Sequence, residues 1–571
     1  MLFNFLLEKH HRQINLGLAF ILIIYPFSLI FQCGELTDTG FHAYNFQVFL
    51  ENLGSNKIDF LGFTSCFIGA LWLKAFPSLG ILGLKLLYLV FLYASILITY
   101  LLLKNLIENK TILLTTMFCA ITFSERYTNF CYQSDIISWF FLIATGFFAI
   151  KSFKLKNFWF VFISGLLFGV AVLMRFSDIV FLLIFPFIIF YKNNYLEKNN
   201  LETKNSDTIK FFSYFNIGFI FTVLLFIIIL SITNIKDIYF SNIEFFGGKV
   251  NNSHNPSNLL NSYLFELLRF VPHFIGVNLM LIVITFLYNR TRKTNKFFLF
   301  IFFCTLVFIL IYLIYGGYSY ASLNKYLIPA VCFLPLFYSI IKKDKFSNYS
   351  IILCALALSQ VSGTDTGLFL KLSFGSIALI PLSLIILLDK KEIVYNNIKL
   401  NTVLIAKLSI FLFTFFSVFS KFGSVYGVGD GISIRFKAIY VVNNEKMKGI
   451  LTTIERAKHI ESLCNSIENN SNIDSKMLIF GHEPMFYYLT NRRCAVKRFW
   501  FANNAINTQE LFADINNTIK SDNAFPLIID LKQKRLGEKG EKSLRIFLKN
   551  HGYKLIEAKK DFNIWKNIKS I

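Results

Sequence analysis

The sequence predicts a mainly α-helical membrane protein that ends in a small α/β region, and three observations carry that reading. The chain has 571 residues, of which 55% are hydrophobic and 18% aromatic, and its mean hydropathy is +0.55. A soluble core of this size does not need so much apolar surface. Apolar runs recur through residues 14–420, many near the roughly 20 residues that a helix needs to cross a bilayer. After about Lys421 the runs shrink to strand and amphipathic-helix lengths, while Gly, Asn, Lys and Glu become frequent.

The formal net charge of +23 does not imply a nucleic-acid partner. Basic residues gather in short links between apolar runs: Lys104 to Lys110, Lys151 to Lys156, Arg290 to Lys296, Lys342 to Lys345, and Lys390-Lys391. Cationic links of this kind stay in the cytoplasm and orient a multi-pass protein. Nine cysteines are scattered without a CxxC or a Cys/His cluster at metal-ligand spacing. Cys119, Cys304, Cys332 and Cys354 lie in apolar runs and read as small buried hydrophobes. For Cys464 and Cys494, pairing with one another stays open.

The first run, Ile14 to Phe31, follows the basic flank Lys9-His10-His11-Arg12. It lacks a small-x-small cleavage pattern and is predicted to be a retained span. About thirteen spans follow from the apolar runs, over 14–32, 81–103, 111–124, 135–151, 157–175, 177–191, 211–233, 270–288, 297–315, 326–341, 350–361, 367–388 and 403–420. With a cytoplasmic N-terminus, thirteen crossings leave the C-terminus outside and every strongly basic link inside. The predicted organisation is a transmembrane part over 1–420 and an extracytoplasmic α/β domain over 421–571.

Four outward segments draw attention. The first runs from Cys33 to about Gly80 and contains Glu35-Leu36-Thr37-Asp38-Thr39-Gly40-Phe41-His42. Within it, Phe60 to Phe76 is apolar but closed by Lys74 and Pro77, which predicts a helix lying in the membrane interface. The second spans Ser124-Glu125-Arg126-Tyr127 to Asp135, and the third spans about 235–268, followed by Arg269. The fourth leads from Gly316-Gly317-Tyr318-Ser319-Tyr320 into Lys325-Tyr326. A small polar turn, Ser362 to Gly367, joins two later spans. In the C-terminal region, Ile434 to Glu468 reads as a strand and a helix, and Lys476 to Gly481 and Phe525 to Asp530 read as strands. Ser543 to Asn550 reads as a helix, and Tyr553 to Trp565 as a hairpin or paired strands. His482-Glu483 follows a strand without a partner at a telling distance in sequence.

Several segments together resemble the GT-C glycosyltransferases. Phe41 to Lys74 resembles their first extracytoplasmic loop. Ser164-Gly165-Leu166-Leu167-Phe168-Gly169-Val170-Ala171-Val172-Leu173-Met174-Arg175 resembles their recurring Gly- and Arg-containing helix. Lys325-Tyr326-Leu327-Ile328-Pro329 resembles their Arg-Tyr-Leu-x-Pro segment, with Lys in place of Arg. Tyr487-Tyr488-Leu489-Thr490-Asn491-Arg492-Arg493 resembles a stretch in their soluble C-terminal parts. The span count is similar to that of the protein mannosyltransferase and aminoarabinose-transferase branches. The acidic motif departs from the family pattern, reading Glu-x-x-Asp rather than adjacent Asp-Glu.

The resemblance implies an enzyme of the bacterial inner membrane that moves a sugar from a polyprenyl-phosphate carrier to a lipid, glycan or protein acceptor. The transfer would take place on the periplasmic face, with inversion. Asp38 is the candidate general base, with capping of the following helix as its structural alternative. Asp135 is a second catalytic candidate that would orient the acceptor, or share Mg²⁺ or Mn²⁺ with Asp38; helix capping is again the alternative. No third carboxylate for such an ion is obvious. Glu35 and His42 would line the same cleft. Lys325, Tyr326, Arg126 and Arg269 would meet the donor phosphate, or the cations would snorkel to lipid headgroups. A flippase for lipid-linked sugars, and an O-antigen polymerase or ligase, are the competing classes. Against the flippase stand mostly uncharged spans and no internal repeat.

Overall fold

The structure, a computed structural model, describes residues 11–32, 34–51, 62–124, 134–184, 205–237, 239–240, 335–361, 368–390, 392–395, 398–410, 424–426, 432–496, 508–532 and 537–568, and a few residues within 260–275 and at 333. The membrane part is helical. Helix α1 covers His11–Leu29 and α2 covers Asp38–Phe49. Helix α3 covers Phe63–Ala75, followed by a Pro77–Leu79 turn into α4, Gly80–Leu103. Then come α5 Lys110–Ser124, α6 Ser134–Leu155, α7 Phe158–Met174 and a Phe176–Ile184 3-10 segment. Helices α8 Asn205–Ile232, α9 Ser347–Val361 and α10 Leu368–Lys390 follow.

Four segments, His11–Leu29, Pro77–Leu103, Ser134–Phe153 and Ile209–Ile232, are long and apolar enough to cross a membrane. Shorter apolar helices accompany them, including Lys110–Thr122, Phe158–Met174 and Ser347–Val361. This is the anatomy of a multi-pass membrane protein, although the described residues do not display thirteen crossings. The expected span at 177–191 is a 3-10 segment as far as Ile184. The expected spans at 270–288 and 297–315 lie wholly or mostly outside the described residues, that at 326–341 is described as helix from 335 onward, and that at 403–420 is described only to Ile410. Helix α3 has 13 residues, too few to cross a bilayer, as the interfacial reading of Phe60 to Phe76 expects.

Backbone proximity explains the small residues of the Ser164 to Arg175 segment. Helix α7 begins at Asn157, whose side chain accepts the Trp159 N–H at 2.9 Å, an N-cap that sets its start. It packs against both α6 and α8. A Cβ on Gly165 would lie 2.1 Å from the Phe215 carbonyl, and one on Gly218 would lie 2.3 Å from the Phe162 carbonyl. Gly169 abuts Thr222 in the same way, and the Thr222 hydroxyl donates to Leu166 O at 3.2 Å. Small residues allow this approach, and close packing rather than hydrophobic transfer joins helices in lipid.

The later chain is sheet-rich. Short antiparallel pairs join β1 Glu392–Tyr395 with β2 Ile398–Asn401, β3 Ser424–Tyr426 with β4 Ile432–Ile434, and β5 Tyr440–Val441 with β6 Leu451–Thr452. A five-stranded mixed sheet then forms from β7 Lys476–Phe480, β8 Arg493–Cys494, β9 Leu527–Asp530, β10 Tyr553–Ala558 and β11 Asn563–Asn567, in the order β10-β11-β9-β7-β8. Strand β7 is parallel to β8 and β9, with Leu478 opposite Ile528. The β10–β11 hairpin closes the edge antiparallel to β9. Helices α11 Ile454–Asn470, α12 Met485–Thr490, α13 Thr508–Asp522 and α14 Gly537–Asn550 accompany the sheet. Burial on both faces explains the unbroken apolar run of β7, where Met477 to Phe480 are all buried. Cys464 and Cys494 are buried and not disulfide-bonded, so the pairing left open by sequence does not form.

Gly165→Leu is expected to separate α7 from α8 at a cost of about 1–3 kcal/mol or more. Thermal unfolding of the detergent-purified protein measures it; an unchanged midpoint would contradict the close approach.

Candidate active site

The loop after α1 is fastened before α2 begins. Leu451 N–H donates to Phe31 O at 2.7 Å, and Met485 N–H donates to Leu36 O at 3.2 Å. Gln32 bridges to Leu451 in a parallel pair. Its amide donates to Ala438 O at 3.3 Å, and its side-chain oxygen accepts from Arg435. From the helical side, the Lys85 ammonium on α4 donates to Gln32 O at 2.7 Å. Lys85 is 1% exposed, so this cation is held inside the protein near the start of an apolar helix. Sequence reading missed it because a single Lys in Gly80-Ile-Leu-Gly-Leu-Lys85 looks like a flank.

Glu35 organises the N-terminus of α2. Its carboxylate accepts the N–H groups of Thr37 at 2.7 Å, Asp38 at 3.0 Å and Thr39 at 2.6 Å, and the Thr37 hydroxyl also donates to it. These are the N–H groups that a helix start leaves without intrahelical partners, and a carboxylate there also complements the helix dipole. Glu35 therefore does the capping that sequence offered as an alternative role for Asp38. Asp38 is the first residue of α2 and is half-buried. His42 follows one turn later on the same face, its ring stacked 5.9 Å from Phe46.

The rest of α2 is wedged between α3 and the C-terminal region. A Cβ on Gly40 would lie 2.2 Å from Met485 N, and one on Gly69 of α3 would lie 2.7 Å from the Phe46 ring. The Tyr44 hydroxyl accepts the Cys494 N–H at 2.7 Å, and its ring lies 5.0 Å from Tyr487. Burial pushes both tyrosine hydroxyls well above their usual range. The Tyr487 to Arg493 stretch thus forms α12, a left-handed turn at Asn491 with φ 56°, and β8.

Asp135 sits in a second cluster, at the start of α6. Arg175 Nε lies 3.1 Å from Asp135 Oδ1, and its Nη1 lies 3.2 Å from Asp178 Oδ1. The same Nη1 donates to the Gln360 carbonyl at 2.6 Å. Asp178, 0% exposed, also accepts from the Ser138 hydroxyl and from Gln360 Nε2 at 3.3 Å. One guanidinium thus joins the ends of α6, α7 and α9. Helix α3 abuts this cluster: a Cβ on Gly62 would lie 3.3 Å from Met174 O and 3.7 Å from Ser134 Cβ. Asp178 and Gln360 were not singled out in sequence, since each lies among apolar residues and Gln360 is more than 180 positions from Asp178 and Arg175.

A divalent ion shared by Asp38 and Asp135 does not fit this donor set. Asp135 is committed to Arg175, and among the described residues no three His, Cys, Asp or Glu side chains are placed to hold an ion. Arg126, Arg269, Lys325 and Tyr326, together with the 316–320 and 362–367 segments, lie outside the described residues.

The C-terminal region holds a further charged cluster. Glu483 follows β7, with its carboxylate 3.1 Å from Arg456 Nη1 and 2.7 Å from His459 Nε2. Burial acts to raise this carboxyl, but the His459 hydrogen bond and the Arg456 charge outweigh it and hold it below the usual range. Its partners were hidden from sequence because they lie on α11, more than 20 residues earlier. Nearby, Lys446 donates to Tyr488 O and Asn491 Oδ1, reaches Gln47 Oε1 of α2 at 3.5 Å, and lies 4.2 Å over the Tyr488 ring. Burial lowers its ammonium to about 8.

No family model and no curated protein matches the chain. Among solved structures it is similar to ArnT from Cupriavidus metallidurans in the apo state, at 9% identity over 99% of each chain, with a TM-score of 0.48. It is likewise similar to ArnT from the same organism bound to undecaprenyl phosphate, at 9% identity over 98% of each chain, with a TM-score of 0.46. At these identities and TM-scores, the likeness transfers no residue role to this chain.

Arg175→Met would leave Asp135 and Asp178 without their shared cation, an expected loss of about 3–5 kcal/mol. Arg175→Lys would recover only part, because an ammonium lacks the planar fork; thermal unfolding ranks the three proteins. A second measurement concerns Lys446. Its folded value near 8 lies below its ordinary 10.5, so between these values the unfolded chain binds more protons. Stability relative to Lys446→Met is therefore expected to rise from pH 8 to pH 10.5, by at most about 3 kcal/mol. Below pH 8 the full cost of burying the ammonium applies.

Proposed function

We propose that the chain is a membrane glycosyltransferase of GT-C type that takes a sugar from a polyprenyl-phosphate carrier. The observation that supports this reading is the arrangement at the start of α2. Glu35 accepts the N–H groups of Thr37, Asp38 and Thr39, so capping of α2 does not rest on Asp38, the carboxylate one turn before His42. Asp38 is assigned as the general base. It takes the proton of an acceptor hydroxyl as that oxygen attacks the anomeric carbon. The bond from that carbon to the phosphate oxygen breaks on the opposite side, the configuration inverts, and polyprenyl phosphate leaves with the bonding pair.

Asp135 is assigned to orienting the acceptor side of the site, with Arg175 holding its carboxylate in place. His42 and Glu35 are assigned to the same cleft. Lys325, Tyr326, Arg126 and Arg269 remain the proposed donors to the departing phosphate, where cationic charge would stabilise the transition state. The location proposed is a bacterial inner membrane, with the N-terminus in the cytoplasm and the C-terminal region in the periplasm. The acceptor class is a lipid, a glycan or a protein.

The test is sugar transfer by wild type, Asp38→Asn and Asp38→Glu from a panel of polyprenyl-phosphate sugars. Asp38→Asn is expected to lose about 100-fold or more in transfer rate. Its stability should stay within about 0.5 kcal/mol of wild type, because Glu35 retains the cap. Undiminished transfer by Asp38→Asn would remove Asp38 from the chemistry. Passage of lipid-linked sugar across proteoliposomes with no donor consumed would replace the transferase with a flippase.

A further inference from the structure

The segment from Arg435 to Val441 presents apolar side chains outward beside the exit of α1. Phe436, Ile439 and Val441 are each 62% exposed, and Tyr440 is 42% exposed. A soluble surface does not ordinarily gather four large apolar side chains within six residues. The segment is not a loose strand: Arg435 is buried and holds Gln32, and Ala438 is buried with its carbonyl accepting from Gln32. Gln32 lies only three positions after Leu29, the end of α1.

The outer face of α1 is itself apolar and exposed, through Phe20, Ile23 and Phe27, as a helix bathed in acyl chains should be. The Arg435 to Val441 segment is tied to Gln32 just past the helix end, where a bilayer gives way to its headgroups. Its charges fit that position. Lys437 is exposed between Phe436 and Ala438, and no acidic residue occurs from Gly431 to Asn444. Aromatic and aliphatic side chains flanked by cations, without acids, are what an anionic membrane interface retains.

We infer that Phe436, Ile439, Tyr440 and Val441 insert into the headgroup–acyl boundary of the leaflet at which α1 ends, with Lys437 meeting anionic lipid. The occupant of the patch is therefore a lipid surface. This anchor would fix the height of the C-terminal region above the bilayer, and through Gln32 it would fix the loop that carries Asp38. The inference does not require the transferase reading, since it concerns only where this surface lies.

Spin labels at Ile439→Cys and Val441→Cys, in the full chain reconstituted in phosphatidylglycerol-containing nanodiscs, test it. Ile473→Cys serves as reference; Ile473 is 59% exposed just past the far end of α11, about 25 Å along that 17-residue helix. Spectra are read against the parent protein carried through the same labelling. Labels at 439 and 441 are expected to show severalfold lower collision with a water-soluble nickel chelate than the label at 473, together with higher collision with oxygen. Exchanging phosphatidylglycerol for phosphatidylcholine should reduce that contrast. Equal chelate collision at all three sites would overturn the inference. Protection at 439 and 441 from chelate and oxygen alike would also overturn it, because a protein surface rather than lipid would then cover the patch.

Discussion

Two backbone hydrogen bonds, Leu451 N–H to Phe31 O at 2.7 Å and Met485 N–H to Leu36 O at 3.2 Å, hold the loop between α1 and α2 to residues more than 400 positions away. Everything proposed for the site depends on them. A loop of this kind left to itself would sample many conformations, and each ordered residue costs about 1–2 kcal/mol of backbone entropy. Here the cost is shared among strand pairing at Gln32, the Glu35 cap and the contact of Gly40 with Met485. Asp38 is therefore placed by structure on either side of it rather than by its own contacts alone.

The second constraint is electrostatic. Asp135 and Asp178 are both buried and both face Arg175. Two carboxyl groups share one guanidinium, and Ser138 and Gln360 donate further hydrogen bonds to Asp178. A buried arrangement of this kind contributes little net stability compared with apolar packing. It specifies instead, because the ends of α6, α7 and α9 must meet in one register for all of these partners to be satisfied. That register lies beside the start of α3, and α3 in turn packs on α2 through Phe46 and Gly69. Loop and cluster are thus mechanically joined.

The C-terminal region meets α2 through packing and hydrogen bonds. Its Glu483 cluster braces the turn before α12 against α11. Helix α12 and β8 then present Met485, Tyr487 and Cys494 to α2. Lys446, lying between Gln47 of α2 and the end of α12, closes the junction. A soluble layer built this way explains how a change far from Asp38 in sequence would alter the angle at which Asp38 is presented.

Apolar run length determined most of the helices of the membrane part, because a chain in lipid must satisfy its backbone within each segment. Sidedness of charge likewise drew attention to the loop of Glu35 and Asp38, and unbroken apolar runs marked β7 and β9. Sequence did not decide which of Glu35 and Asp38 caps α2, since both stand within reach of the same N–H groups until the chain's exit from α1 is fixed. Nor did it show that Arg175 binds Asp135, that Lys85 reaches Gln32, or that Glu483 has Arg456 and His459 as partners. Periodicity is a local property, set by each residue's own neighbours in water or lipid. Pairing of buried charges is a property of tertiary packing, which alone brings distant residues close enough for one charge to compensate another.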